Sequence, residues 1–398
     1  MDVSVETARP SAARLLRDRR RRWIAGLGAA LVLIALVALA WWLVSGRFYE
    51  STDDAYVAGD LVNVMSQVNG TVVSIGADET DLITAGQELV RLDATDARIA
   101  LQDAEQQLAR TVRQTRTVFA TRDELEAVVN QRRADLARAQ ADFDRRRHLT
   151  TSGAVSGEEL GHAQDALNAA RDGLVAAQKN LAASRALVGR TGVADNPDVR
   201  AAATQVERAW LALVRTSVRA PVTGYVARRS VQLGERIAPG APLMAIVPLG
   251  RLWLEANFRE VQLRRMRIGQ PVTVVADLYG GHVTYHGRVE GLGLGTGSAF
   301  ALLPAQNATG NWIKVVQRVP VRIALDPREL AAHPLRIGLS TVVRVDMHDV
   351  SGAELAQTPR REPVLETRAY DIDTSAIRAR IAQIIDDNIA EAAGRVAP

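Results

Sequence analysis

Three small groupings in this chain have residue types that could do chemistry. Gly291, Gly293, Gly295 and Gly297 form a glycine-rich stretch. Such a stretch can cradle phosphate on backbone N–H groups, but this one lacks the GxGxxG order, and no Walker motif occurs. It reads as a mobile loop of a β-barrel. His282 and His286 stand four apart. On a strand that spacing is ~13 Å, too far for one metal ion, and no carboxylate pattern surrounds them. Asn307, Ala308 and Thr309 make a glycosylation sequon, a match of only three residues. With no cysteine, the chain has no disulfide, no thiol nucleophile and no thiolate metal site. GxSxG, HExxH and any coherent nucleophile–base grouping are absent too. The expectation is a protein that is not an enzyme and holds no cofactor and no metal.

The chemistry is sparse, so the elements must carry the function. The chain has 398 residues, 47% hydrophobic and 24% charged, enough for several ordered domains. Aromatics are only 4%, which suits helices built on Ala and Leu. The chain is basic, with a pI of about 9.7. Its bases are nearly all arginine, Lys179 and Lys314 being the only lysines. Beyond the N-terminus the arginines are interleaved with Asp and Glu, so no nucleic-acid partner is expected.

Arg14, Arg17, Arg19, Arg20, Arg21 and Arg22 precede an uncharged run from Trp23 to Gly46. At ~1.5 Å per residue that run can cross ~30 Å of hydrocarbon. Trp23 stands at one end, Trp41 and Trp42 near the other, where interfacial aromatics belong. Ala38-Leu39-Ala40 has the small-x-small pattern of a signal-peptide cleavage site. The apolar run continues past it through Val44, which favours a retained anchor. Positive charge stays cytoplasmic, so residues 1–22 are read as a cytoplasmic arm, 23–46 as a single-pass transmembrane anchor, and everything after Arg47 as lying outside the cytoplasm.

Residues 64–93 then read as short β-strands and turns, too few to bury a core alone. Val62, Val64, Val68 and Val72 alternate, with glycines at 70, 76 and 86. The missing half comes 154 residues later: without a gap, Val64 meets Val218, Val68 meets Val222, Gly70 meets Gly224, Val72 meets Val226, Ile83 meets Ile237, Gly86 meets Gly240 and Leu89 meets Leu243. Each half has two glycines 16 apart, read as tight turns. Two half-domains, 62–94 and 216–249, are expected to close on each other.

The insertion between them, 95–215, is helical. Leu101, Leu108, Val129, Leu136 and Phe143 share one seven-residue register, and Ala104, Val118, Leu125 and Ala139 another, interrupted by Thr111, Thr115, Arg122 and Arg132. The return arm repeats Leu160, Leu167, Leu174, Leu181 and Val188, with Ala163, Ala170 and Ala177 beside them. This is an antiparallel coiled-coil seam. Its arms run from about 97 to 147 and from about 157 to 215, the latter broken at 189–197 and restarting near Asp198, so each spans ~75 Å. The tip lies at about 145–157, where Ser156 and Glu159 fit a capping box.

From Leu252, short alternating segments recur and indicate a small β-barrel over 250–350, its first strand supplied by 47–61. Residues 351–398 form a tail with a weak amphipathic helix from about Thr374 to Ala392. A split strand repeat also resembles lipoyl and biotinyl carriers, but the corresponding turns, 75–80 and 229–234, hold no lysine. The fold class is mixed α/β and multidomain: N-terminal transmembrane helix, split lipoyl-like β-domain, long antiparallel coiled-coil α-hairpin, C-terminal β-barrel.

That order resembles the membrane fusion proteins, also called periplasmic adaptors or the HlyD family, and most of all their EmrA-type multidrug-resistance branch. TDDAYVAG (52–59), SQVNGTV (66–72), AWLALVRT (209–216), APVTGYV (220–226) and GTGSAFALLPAQNATGNWIKVVQRVPVRI (295–323) carry the likeness. The resemblance implies an adaptor in a tripartite multidrug efflux pump of a Gram-negative bacterium. It would be anchored in the inner membrane, with its bulk in the periplasm and a trimeric or hexameric ring as its assembly. Its partners would be an inner-membrane major-facilitator transporter and a TolC-like outer-membrane channel. An Arg-x3-Leu-x6-Ser pattern of the family's hairpin tips is matched by Arg145, Leu149 and Ser156, to which the resemblance gives docking on the channel. Export of another cargo, a secreted polypeptide or siderophore, and a non-transport envelope tether remain as alternatives.

Overall fold

A computed structural model describes residues 12–44, 46–150, 153–189, 191–297, 299–300 and 316–394. The sequon at 307–309, and the side chains of Arg14, Arg17, Arg19, Arg21, Arg22, Trp41 and Trp42, lie outside the described residues. In chain order come α1 (Ala12–Val44), β1 (Tyr49–Ala58), β2 (Val62–Met65), β3 (Gly70–Ile75), β4 (Leu82–Ile83) and β5 (Glu88–Leu92). Three helices follow, α2 (Thr95–Thr150), α3 (Gly157–Val188) and α4 (Pro197–Val214). Next are β6 (Ser217–Arg219), β7 (Gly224–Arg229), β8 (Arg236–Ile237), β9 (Pro242–Val247), β10 (Trp253–Arg259), β11 (Pro271–Ala276), β12 (Thr284–Leu292) and β13 (Arg318–Leu325). A short α5 (Pro327–Ala332), β14 (Ser340–Asp346) and α6 (Ser375–Gly394) end the chain. Two compact units result, residues 1–62 with 246–366, and residues 63–245 with 367–398.

The first unit holds a closed six-stranded barrel in the order β1-β10-β13-β12-β11-β14. All its pairings are antiparallel. Alternation explains it: Leu254, Ala256 and Phe258, or Val343 and Val345, point inward and are fully buried, while the neighbours between them are polar, Glu255 and Arg344 exposed and Asn257 half-buried. In α1, Trp23 is 80% exposed and the apolar side chains from Ile24 to Leu39 are exposed all round. Among the described residues no helix is both long and apolar enough to cross a membrane.

The second unit contains the split module. Its two sheets, β2-β9-β7-β4 and β6-β5-β3-β8, have equivalent strands in equivalent places, and each mixes strands from both halves of the repeat. Backbone hydrogen bonds match at the same 154-residue offset. Gly86 N–H donates to the Ala220 carbonyl and Gly240 N–H to that of Ser66, both at 2.8 Å. Thr80 N–H donates to Val226, and Gly234 N–H to Val72, both at 2.9 Å. Neither half can form its sheet alone, because each contributes the other's partner strand.

The glycines divide by role. Gly86 and Gly240 both have φ of +85°, the left-handed turn conformation. Gly70 and Gly224, read as turns from sequence, instead start β3 and β7. A Cβ on Gly70 would lie 3.1 Å from the Leu92 Cβ, so close packing is its reason for being glycine. The Val62–Val72 alternation is likewise broken by a bend at 67–68, which leaves Val68 outside any strand.

Candidate docking interface and its support

The hairpin is one helix out and two back. α2 has 56 residues, longer at both ends than the sequence reading, and reaches about 84 Å at ~1.5 Å per residue. The heptad positions pack as the pattern requires: Leu108, Val129, Ala163, Leu167, Ala177, Leu181 and Val188 are buried. Arg185 and Glu126 join the arms at 3.1 Å. The return arm restarts at Pro197, with Asn196 as N-cap accepting from the Asp198 N–H at 2.9 Å.

At the tip, α2 ends in a basic cluster, Arg145, Arg146, Arg147 and His148. Arg145 and Leu149, one turn apart, are both exposed, Leu149 by 43%. Arg145 pairs with Asp142 at 3.3 Å within its own helix. Ser156 is exposed and caps α3: its hydroxyl accepts from the Glu159 N–H at 3.2 Å, while its own N–H donates to the Glu159 carboxylate at 3.0 Å. Those hydrogen bonds hold the Glu159 carboxyl below its ordinary range, the Ser156 backbone contributing most and its hydroxyl next. The structure therefore realises the capping box and sets Ser156 at the tip, together with Arg145 and Leu149.

The tail helix expected at about 374–392 is present as α6; what sequence reasoning missed is that it packs on the root of the hairpin. The tail helix α6 lies against α2 and α4, where Ile377, Ile381, Ile384 and Ile385 join Leu108, Val112, Val199 and Val206 in one buried core. Arg380 pairs with Glu105 at 3.2 Å, Arg113 donates to the Asn388 side chain at 2.5 Å, and Arg116 donates to the Ile389 carbonyl at 2.7 Å. The signal was present: isoleucines at 377, 381, 384, 385 and 389 are a helical stripe.

The other candidates resolve without a site. His282 sits in a short 3-10 turn, and only His286 is on β12, correcting the reading of both on one strand. A carboxylate does lie there, since the Glu329 side chain meets His286 Nδ1 at 2.8 Å. No cluster of three metal-ligating side chains occurs among the described residues. Gly291 belongs to β12 beside a bulge, and Gly293 lies against Pro320, where a Cβ would meet the carbonyl oxygen at 2.8 Å. The two lipoyl-type turns are tied by Arg229 Nε and Asp78 at 2.7 Å, which lowers the Asp78 pKa.

A membrane fusion protein is what a split module, a hairpin inserted in it and a barrel following it in the chain describe. The profile of the EmrA alpha-helical hairpin domain matches residues 95–216. The chain is 45% identical over 388 residues to the multidrug export protein EmrA of Escherichia coli strain K12, covering 98% of this chain and all of that one. It is 49% identical over 342 residues to the fatty acid resistance protein FarA of Neisseria gonorrhoeae, 86% of each. A solved periplasmic adaptor EmrA covers 75% of this chain and 99% of its own at 18% identity, with a TM-score of 0.38. The chain belongs to the EmrA branch of the membrane fusion protein family.

Proposed function

We propose that this protein is the periplasmic adaptor of a tripartite multidrug efflux pump. It links an inner-membrane major-facilitator transporter to a TolC-like outer-membrane channel, and the complex exports hydrophobic toxic compounds. The observation that carries the reading is the 45% identity to a multidrug export protein across both whole chains. The adaptor itself is non-catalytic and acts as a trimeric or hexameric ring. α1 is its single-pass anchor, with the arginine-rich N-terminus in the cytoplasm. An apolar helix surface exposed on every side supports that role. Arg145, Leu149 and Ser156 dock on the channel, a role supported by their exposure at the end of a rigid helical arm.

The test uses the absence of cysteine. Leu149→Cys, carrying a photo-activated thiol crosslinker in intact cells, captures a TolC-like outer-membrane protein if the tip docks there. Capture of peptidoglycan-associated or inner-membrane proteins alone would sink the docking role and favour an envelope tether. Loss of the protein should raise accumulation of a hydrophobic dye; unchanged accumulation across a broad panel counts against a drug cargo. A cargo of fatty acids is a second reading, favoured by the name and 49% identity of the gonococcal relative.

A further inference from the structure

We infer that the barrel rim at which β1 begins is a membrane-surface contact that binds the phosphate groups of anionic phospholipid. The inference rests on the anchor role of α1 proposed above.

Strand register defines the rim. Tyr49 pairs with Asp346, Arg259 with Arg318, and Pro271 with Arg288. The starts of β1, β11 and β13 and the ends of β10, β12 and β14 therefore lie at one end of the barrel. The turn after β10, the segment after β14 and the chain coming from α1 share that end. They are knit together: Met347 N–H donates to the Phe48 carbonyl at 2.8 Å, and Ile268 N–H to that of Ala353 at 3.0 Å. The Gln270 side chain donates to the Asp349 carbonyl at 2.7 Å.

Five arginines on this rim have no ion pair among the described residues: Arg47, Arg264 and Arg265, together with Arg259 and Arg288, whose side chains meet the Gln262 amide and the Gly269 carbonyl. Arg47 and Arg265 stack on the Phe48 ring, at 5.0 and 4.8 Å from its centroid. The His348 ring also stacks on Phe48, with centroids 4.6 Å apart. The carboxylates nearby are mostly occupied: Asp346 with His348, Asp54 with Arg318, Glu354 with Arg267, and Glu50 with the Gln262 side chain. Glu260 and Asp349, whose carboxylate accepts only from Ser351, are the exceptions. Val261, 69% exposed, and Val350, 43% exposed, project from the same rim. Guanidinium donors without an anion, an aromatic platform and isolated apolar side chains are the composition of a membrane interface.

Chain length fixes the depth. Phe48 follows Gly46, the end of the apolar run, by two residues, so it lies at most ~7 Å beyond it. The headgroup layer is about 5–8 Å thick on each side of the hydrocarbon. If α1 is inserted, Phe48 and its arginines are held at headgroup level, where phosphate accepts from guanidinium forks.

The experiment takes the full-length chain in vesicles of phosphatidylcholine alone or with about one quarter phosphatidylglycerol. Three single-cysteine variants carry an environment-sensitive dye: Val261→Cys on the rim, Leu278→Cys at the opposite barrel end, and Leu33→Cys within α1. Nitroxide on the lipid headgroup should quench the dye at 261 about twofold or more above that at 278, and more strongly with phosphatidylglycerol. Adding Arg264→Gln and Arg265→Gln should cut the phosphatidylglycerol increment by about half, Arg47 remaining in place. Equal quenching at 261 and 278, with position 33 quenched by acyl-chain nitroxide, overturns the rim contact and leaves the anchor standing. No quenching at 33 overturns the anchor and this inference with it. Quenching at 261 that ignores both lipid charge and the arginine substitutions overturns the phosphate contact and leaves only proximity through the tether.

Discussion

The root and the tip of the hairpin are built from the same two arms but held by different means. At the root a third helix, α6, completes a core of eight buried side chains, four of them isoleucines. Farther out the cluster is smaller, Val129, Ala177 and Leu181, with Ala163 and Leu167 buried nearer the tip. At the tip Arg145, Leu149 and Ser156 all face solvent. The difference teaches where folding energy and the proposed docking role separate: the base is braced by a third helix, and the end presents exposed side chains.

Removing the brace should have the largest effect. Each buried isoleucine of α6 contributes about 1.5–3 kcal/mol of transfer free energy, partly offset by the entropy of ordering the helix. A chain ending at Glu366 should expose Leu108, Val112, Val199 and Val206. Proteolysis within the 189–196 break should then rise about tenfold or more, equivalent to about 1.4 kcal/mol of lost opening energy. Unchanged cleavage would show that α6 is not a brace. Next in size are single truncations along the arm. Leu108→Ala should cost about 2–5 kcal/mol and Val129→Ala about 1–2.5 kcal/mol, read as shifts of the urea midpoint at constant m. The reverse ranking would break the contrast between root and mid-arm.

Much of this was legible in the chain itself. A repeat at a fixed offset announces a split domain because paired halves must keep the same turns and buried positions; Gly86 and Gly240 share both φ and hydrogen-bond partner type. A heptad seam is equally visible, since periodicity is local. What stayed hidden was long-range. Val112 lies outside both heptad registers, and nothing near it in sequence says that α6 covers it. Thr115 reads as a flaw in the seam, yet it is buried. Glu329 reaches His286 from 43 residues away. Among the candidate tip residues, the cap at Ser156 was readable because its partner is three residues on.

The cap gives a smaller effect, confined to the tip. Ser156→Ala should cost about 1 kcal/mol and fray the first turn of α3, seen as faster amide exchange over residues 157–160. The Glu159 carboxyl titrates below its ordinary value because Ser156 donates to it. Its stabilisation is therefore present above the unfolded-state pKa and is lost as pH falls through the lower folded-state value. Exchange at 157–160 should speed up in that acid window in the native chain; Glu159→Gln should remove the change, and Ser156→Ala, which keeps the backbone N–H, only its smaller part. A pH-independent native profile would mean that the capping box does not hold α3.

Leu149→Asp should have the smallest effect on folding and the sharpest one on function. The side chain is 43% exposed at the end of α2, away from the buried seam, so its replacement should move the urea midpoint by no more than about 0.5 kcal/mol. A charge there would have to be desolvated, or left facing water, in any docked complex, and either weakens an interface that closes over an apolar side chain. Hydrophobic-dye accumulation should rise to the level of cells lacking the protein, with protein abundance unchanged. Arg145→Ala should give the same direction with a smaller change, since its ion pair with Asp142 is exposed and local. If Leu149→Asp exported dye normally at normal abundance, the tip of the arm would not be where this protein meets its channel, and the difference between root and tip would be one of stability alone.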